Sequence, residues 1–259
     1  MKDVQNSTDY RGITIQRVGV KDVHLPLRIV QREGDIQQVL GIVTLTAELP
    51  HNFKGTHMSR FMEVLMKWSQ TGLSSRQSRR VLEEVASKLE AERVEMSVAF
   101  KYFLKKKSPV SGLSSVLDYD CEFTSSLNKD HFDFVLGVRV PVTSVCPCSK
   151  EIAKYGAHNQ RAIISIRLRS HPYLWIEDVV EKAESLGSCE IYPLLKREDE
   201  KYVTEQAYEN PKFVEDILRD AVLALREDPR IYWFEVECES LESIHNHSVY
   251  AYHTEVTRK

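Results

Sequence analysis

Four segments in the second half of the chain hold the side chains whose types and spacing could do chemistry. They are Ser144-Val-Cys-Pro-Cys-Ser149, Gly156-Ala-His-Asn-Gln-Arg161, Lys196-Arg-Glu-Asp-Glu-Lys-Tyr-Val-Thr-Glu205 and Glu242-Ser-Ile-His-Asn-His247. Cys146 and Cys148 are spaced C-P-C, which suits neither a C-x-x-C redox motif nor a zinc knuckle. Cys121, Cys189 and Cys238 are scattered, which argues against a structural zinc held by four cysteines. The plain alternative for the pair is two small residues at a strand end, since free cysteine is commonly a small buried hydrophobe. His158 follows Cys146 by 158 − 146 = 12 positions, in a polar loop leading into a strand, where it reads equally as a ligand or as a hydrogen-bonded structural residue. His245 and His247 form an H-x-H pair before a strand. Extended backbone would point both rings to one face, and a solvated loop is the alternative. Glu242 adds a carboxylate upstream.

Glu198, Asp199 and Glu200 on their own read as a solvated charged loop. Glu215 falls in the first turn of a helix, an end that favours acidic residues through the helix dipole alone. Together these segments offer one thiolate, two or three imidazoles and several carboxylates. Mixed ligation of that kind with an open position is the pattern of a catalytic zinc, which lowers the pKa of its water to about 7. From chemistry alone the reading is a metal-assisted hydrolase. The first half carries a different feature, His51, Lys54, His57 and Arg60 just before a helix. Basic side chains at a helix N-terminus make an anion site; a polar loop with a capped helix is the alternative. Leu104-Lys-Lys-Lys-Ser-Pro109 reads as a solvated turn.

Elements must position these residues. Gln38–Leu49, Ser97–Lys105, Val116–Thr124, Phe132–Val140, Ala162–Arg169, Ile231–Cys238 and Ser248–Val256 alternate apolar and polar residues or carry β-rich composition, and are expected strands. Met58–Gln70, Gln77–Arg93, Trp175–Leu186 and Phe213–Arg226 show helical spacing. In the last, Asn210 is placed to cap and Pro211 falls at the first helical position. The order strand, strand, helix, helix, strand, strand is read twice, giving an α+β class with an antiparallel sheet. The expected units are 1–129 and 130–259, the second carrying the motifs.

Composition removes other classes. Lys plus Arg is 35 and Asp plus Glu is 38, a net charge of −3, which argues against binding a nucleic acid polymer. No stretch approaches the ~20 apolar residues of a membrane span. The polar start MKDVQNSTDYRG lacks the apolar segment of a signal peptide, and five cysteines, an odd number, fit a reducing compartment. A cytoplasmic protein is expected.

The four motifs, with Gly55-Thr-His-Met-Ser-Arg-Phe61, closely resemble GTP cyclohydrolase I of type B, over nearly the whole chain and in the family's order. The resemblance implies tandem tunnelling-fold units and a homotetramer with active sites near subunit interfaces. It implies hydrolysis of GTP to 7,8-dihydroneopterin triphosphate and formate, at the entry to folate and related pterin pathways. By motif position it implies metal ligands at Cys146, His158, Glu200 and His245, a carboxylate base at Glu215 and a guanine-anchoring carboxylate at Glu242. His247 joins the substrate site, and His51, Lys54, His57 and Arg60 are the candidates for the triphosphate. The implied cofactor is a divalent metal, zinc first, with manganese or iron also suited to imidazole and carboxylate. Two rivals are a tunnelling-fold nitrile reductase, with Cys146 as nucleophile, and a zinc-stabilised binding module.

Overall fold

Alternation of buried and outward side chains builds most of the chain. In the computed structural model, which describes residue 5 and residues 7–257, the elements run in this order. β1 (Ile15–Val30), β2 (Ile36–Leu49), α1 (Met58–Ser69), β3 (Gly72–Leu73), α2 (Ser75–Leu89), β4 (Arg93–Lys107) and β5 (Ser114–Asn128) come first. β6 (His131–Val145), α3 (Pro147–Ile152), β7 (Asn159–Ser170), α4 (Ile176–Glu184), β8 (Cys189–Glu190), α5 (Arg197–Glu209), α6 (Val214–Glu227), β9 (Ile231–Ser240) and β10 (Val249–Val256) follow. The N-terminal stretch read above falls partly, at residues 1–4 and 6, outside the described residues. No helix among those described is long and apolar enough to cross a membrane.

The chain forms two compact units. The first takes the chain up to Lys101 together with Glu122–Val135; the second takes Tyr102–Cys121 and the chain from Leu136 onward. Residue 129, where the repeat was divided, lies in the turn joining β5 to β6, and Lys129 there has φ 54°. In the first unit β1 pairs antiparallel with β2, and β2 with β4. The helices α1 and α2 pack on one another. Their buried faces are Phe61, Val64 and Leu65, and Val81, Leu82 and Val85, each such side chain contributing roughly 1.5–3 kcal/mol. Met66 shares the helical spacing of Phe61, Met62 and Leu65 but is exposed, while Val64 is buried.

In the second unit β6 pairs with β7, β7 with β9, and β9 with β10, all antiparallel. The buried parity is even in three strands: Val138, Val140 and Val142; Ile164, Ile166 and Leu168; Phe234, Val236 and Cys238. The helix α6 buries Val214, Ile217, Ala221, Val222 and Leu225 and packs on β9 and β10. Gly187 is needed before β8, because a Cβ there would meet Val142 Cβ at 2.5 Å.

Four expectations need correction. Residues 197–209 form α5 rather than a charged loop. Asp199 is fully buried and accepts from Lys196 N (2.8 Å), Val110 N (2.9 Å), Ser111 N (2.9 Å) and Ser111 Oγ (2.6 Å). These four donors hold its carboxyl below the usual carboxylate range despite burial, with the Ser111 hydroxyl the strongest. Asn210 closes α5 instead of opening α6, and its amide donates to Gly187 O (3.1 Å) and Ser188 O (3.2 Å). The start of α6 is served by Asp216, which accepts from Phe213 N at 3.1 Å. The Lys-rich stretch is not a solvated turn, because β4 runs to Lys107 and Lys106 is buried. Its ammonium pairs with Glu184 and, at 3.0 Å, with Glu190, while Tyr119 Oη also donates to Glu184, at 2.7 Å. The helix expected to reach Arg93 stops at Leu89, where Glu90 turns left-handed (φ 53°).

The far end of α6 is locked by charge. Asp228, buried, accepts from Arg230 Nε (2.9 Å), Nη2 (2.8 Å) and backbone N (3.1 Å). The Arg230 guanidinium holds its carboxyl down to about 2, against about 3.9 when unfolded. A depressed folded pKa contributes stability that is complete above about 4 and lost as pH falls through about 2. Asp228→Asn is therefore expected to lower unfolding free energy on the order of 1–2 kcal/mol near pH 6. The gap between variant and parent should narrow as pH falls toward 2 and close below it, as read from urea unfolding across that range.

Candidate functional site

Three neighbouring strands carry their core-facing parity one or two residues past their apolar stretch, and polar side chains take over there. On β6 the series continues through Ser144 to Cys146. On β7 it runs backwards from Ala162 through Gln160 to His158, and on β9 through Ser240 to Glu242. The register then brings them together. Val145 pairs with Asn159 and Ser144 with Gln160, so Cys146 stands opposite His158, and Cys146 N donates to His158 O at 3.1 Å. Ala162 pairs with Ser240, so Gln160 falls opposite Glu242.

Local bonds fix these groups. Pro147 starts the short α3 and Cys146 caps it, Sγ accepting from Ser149 N at 3.4 Å. The Ser149 hydroxyl donates to Cys146 O (3.1 Å) and accepts from His158 N (3.2 Å), tying the two motifs. His158 Nδ1 lies 2.9 Å from Gln160 Oε1 and 3.7 Å from Glu242 Oε2. Gln160 Nε2 donates to Glu242 Oε1 at 3.1 Å, and Ser240 Oγ donates to the same oxygen at 3.3 Å. The side chains of His158 and Glu242 are each 14% exposed, so their bonds are sheltered but within reach of a ligand.

A cavity of about 220 Å³ opens here, lined by Cys146, Gln160, Glu215, Glu242, His245 and His247 with Ser144, Lys212, Phe213, Val214 and Val249. One water occupies about 30 Å³ of liquid, so the space suits a ring rather than a lone solvent molecule. His245 and His247 do not take the extended geometry expected from the sequence. A turn in which His245 N donates to Glu242 O (3.2 Å) stacks their rings, centroids 4.9 Å apart and 14° from parallel. Lys212 is spent, donating to Leu186 O (2.9 Å) and Asp220 (2.8 Å). Glu215, exposed in the first turn of α6, has no hydrogen bond or ion pair among the described residues. Cys238, beneath, is pushed up to about 12 by burial and by the Glu215 and Glu237 carboxylates, so its thiol stays protonated.

The remaining expected residues lie elsewhere. Glu200 is exposed on α5 beside Asp199 and does not line the cavity. His51, Lys54, His57 and Arg60 belong to the first unit, where Arg60 Nη1 donates to Lys88 O at 2.8 Å. Among the described residues no three His, Cys, Asp or Glu side chains are gathered closely enough to hold a metal ion. The donor types nevertheless fit one. Cys146 Sγ meets only a backbone N–H, and His158 has Nδ1 engaged by an amide, the arrangement typical of a ligating imidazole. Ser149, Gln160 and Ser240 were not singled out from sequence. The signal available for Gln160 and Ser240 was strand parity, which runs unbroken from the core into both; Ser149 lies in α3, where that pattern does not reach.

Comparison with known proteins gives consistent results. A family described as "GCHY-1: Type I GTP cyclohydrolase folE2" matches residues 1–251. The protein "GTP cyclohydrolase FolE2" of Geotalea uraniireducens (strain Rf4) is 50% identical over 251 residues, 97% of this chain and 92% of that protein. Its namesake in Geobacter sulfurreducens is 50% identical over 97% of this chain and 96% of its own. Among solved structures, uricase from Arthrobacter globiformis superposes with a TM-score of 0.55 at 9% identity, covering 93% of each chain. Urate oxidase from Bacillus sp. TB-90 gives 0.54 at 9% identity, covering 93% of this chain and 100% of that one. Those likenesses concern the fold, an α+β tunnelling fold with a large antiparallel sheet.

Ser149→Ala removes the hydroxyl that joins Cys146 O to His158 N. The expected cost is about 1–2 kcal/mol of unfolding free energy, because a sheltered backbone donor and acceptor each lose a partner. Denaturant unfolding of the variant beside the parent checks it.

Proposed function

The chain belongs to the FolE2 family of type I GTP cyclohydrolases, and from that premise we propose how its second unit works as one. The enzyme is a GTP cyclohydrolase of folate and pterin biosynthesis. That membership sets aside the nitrile reductase and the binding module. The observation that carries the site reading is that a thiol, two imidazoles and two carboxylates, drawn from three segments of the chain, line one cavity.

A divalent metal bound by Cys146, His158, Glu200 and His245 would supply Lewis-acid polarisation and a water nucleophile near neutral pH. Zinc is our first choice, with manganese or iron as alternatives on donor type. The chain's own groups do the rest. Glu242 accepts hydrogen bonds from guanine N1–H and the 2-amino group, and so rejects adenine, which offers neither. His247 bounds the base within the cavity. Glu215 takes a proton from the attacking water at C8 and returns it to the departing ring nitrogen. The resulting formamide takes up a second water and releases formate; the ribose, opened and isomerised to its 2′-ketone, then condenses with the freed amine and returns one water, giving dihydroneopterin triphosphate. His51, Lys54, His57 and Arg60 are assigned to the triphosphate. In chain order we assign residues 1–129 and 130–259 to the two tunnelling-fold repeats, which differ from the two compact units in that Tyr102–Cys121 packs with the second; we further propose a homotetramer with active sites near subunit interfaces, placed in the cytoplasm.

A second reading exchanges the two carboxylates. Glu242 Oε1 already accepts from Gln160 and Ser240, whereas Glu215 faces the cavity with both oxygens unengaged by the described residues. A base-anchoring carboxylate needs two open oxygens, which favours Glu215 as the anchor. Discrimination between GTP and ATP separates the readings, because only the anchor's loss erodes it.

The function is tested by formate release from GTP by the purified chain, with and without added zinc. Cys146→Ala should lose metal retention and turnover together while circular dichroism stays unchanged. Normal metal content and rate in that variant would remove Cys146 from the site.

Glu215→Gln keeps the size and removes the basicity. As the proton-transfer group its loss should cost about 10²–10⁴ in turnover and one limb of the pH–rate profile. If Glu215 merely complements the helix dipole, at most about 1 kcal/mol of stability is lost and turnover is unchanged.

A further inference from the structure

The geometry points to Gln160 as a positioning residue that fixes the ring tautomer of His158 and, with the same amide, the place of Glu242. It rests on the reading of His158 and Glu242 as members of the reacting site. Glu242 Oε1, which also accepts from Ser240 Oγ, faces the NH2 group of the Gln160 amide at 3.1 Å, and that group can only donate. The amide oxygen is then turned to His158 Nδ1, 2.9 Å away. An amide oxygen has no proton to give, so Nδ1 carries the hydrogen and donates it. Nε2 of the neutral ring is left as a bare lone pair, the form in which imidazole binds a metal.

Glutamine suits this position because its one side chain accepts from an imidazole and donates to a carboxylate at once. Glutamate would still accept from Nδ1 but would set a second negative charge against Glu242. Leucine would do neither. The strand register makes the arrangement geometrically forced. Gln160 shares the parity of His158 on β7 and stands opposite Glu242 across the β7–β9 ladder. The hydroxyl of Ser240, on the same oxygen of Glu242, supports the carboxylate from its other side. Gln160 thus acts on the chemistry through its two neighbours.

The test uses the full-length chain stripped of metal by a chelator. Long-range ¹⁵N–¹H correlation at about pH 8, where free imidazole is neutral, reads the tautomer of His158; the signal absent from His158→Ala assigns it. The expected result is a proton on Nδ1 in the parent and in Gln160→Glu, and a mixture of tautomers in Gln160→Leu. Zinc affinity, measured against a chromophoric chelator, should fall about 10- to 100-fold in Gln160→Leu. A parent ring protonated on Nε2 overturns the proposal, as does Gln160→Leu with unchanged tautomer and affinity. Should Gln160→Leu fail to fold, the parent spectrum and Gln160→Glu decide, and a tautomer shift in the latter counts against it. His158→Ala keeps two failures apart. Unchanged zinc affinity there defeats the ligand reading itself, while loss there without loss in Gln160→Leu defeats only the role of Gln160.

Discussion

The register of β6, β7 and β9 is the constraint on which the site depends. A shift of one residue in a strand turns every side chain to the opposite face. Such a slip in β7 would separate His158 and Gln160 from Cys146 and Glu242 together, and would turn Ile164, Ile166 and Leu168 out of the core. The apolar residues therefore hold the polar ones in place. Burying Ala162, Ile164, Ile166 and Leu168 also sets which atoms meet where the strands end, without any bond made for that purpose alone. The site is the polar continuation of the core along the same rows.

The second unit extends this logic to its helices. Buried Asp199 satisfies four donors, two backbone amides and a hydroxyl from the turn between β4 and β5 and the amide that opens α5. Glu184 gathers Lys106 and Tyr119, and Tyr102 donates to Glu177 at 2.6 Å. Buried polar groups are costly without partners. The partners here come from segments far apart in the chain, so each bond specifies one placement of α4 or α5 over the sheet.

Legibility in the sequence followed the strength of local patterns. Alternation in Phe132–Val140 and Ala162–Arg169 and the spacing of Phe213–Arg226 are read directly as β6, β7 and α6. The first strand went unread because its pairing with β2 shifts register between Val20 and Val23, near the left-handed Asp22 (φ 56°). The helix α5 has few apolar residues, and its stability comes from Asp199 and the distant donors that it gathers. Asn210-Pro211 carries the local signature of a helix start, but tertiary donors turn Asn210 to α5 and the Gly187 loop. The motifs holding Cys146, His158, Glu242 and the paired histidines stood out by residue type. Gln160 and Ser149 did not, since amide and hydroxyl groups acquire meaning only from what stands opposite.

The tip of the β4–β5 hairpin has a consequence for how the chain is made. Tyr102 precedes its acceptor Glu177 by 75 residues, and Lys106 and Tyr119 precede Glu184 by 78 and 65. At about 5–20 residues per second of synthesis, the hairpin leaves the ribosome roughly 3–16 s before the carboxylates that will complete it. During that interval its future interior presents an ammonium and two hydroxyls that water can solvate. An apolar tip would instead offer a sticky strand end to neighbouring nascent chains. The polar groups that later fasten α4 to the sheet thus also keep the first-made segment of the second unit, Tyr102–Cys121, hydrated while it waits for the rest.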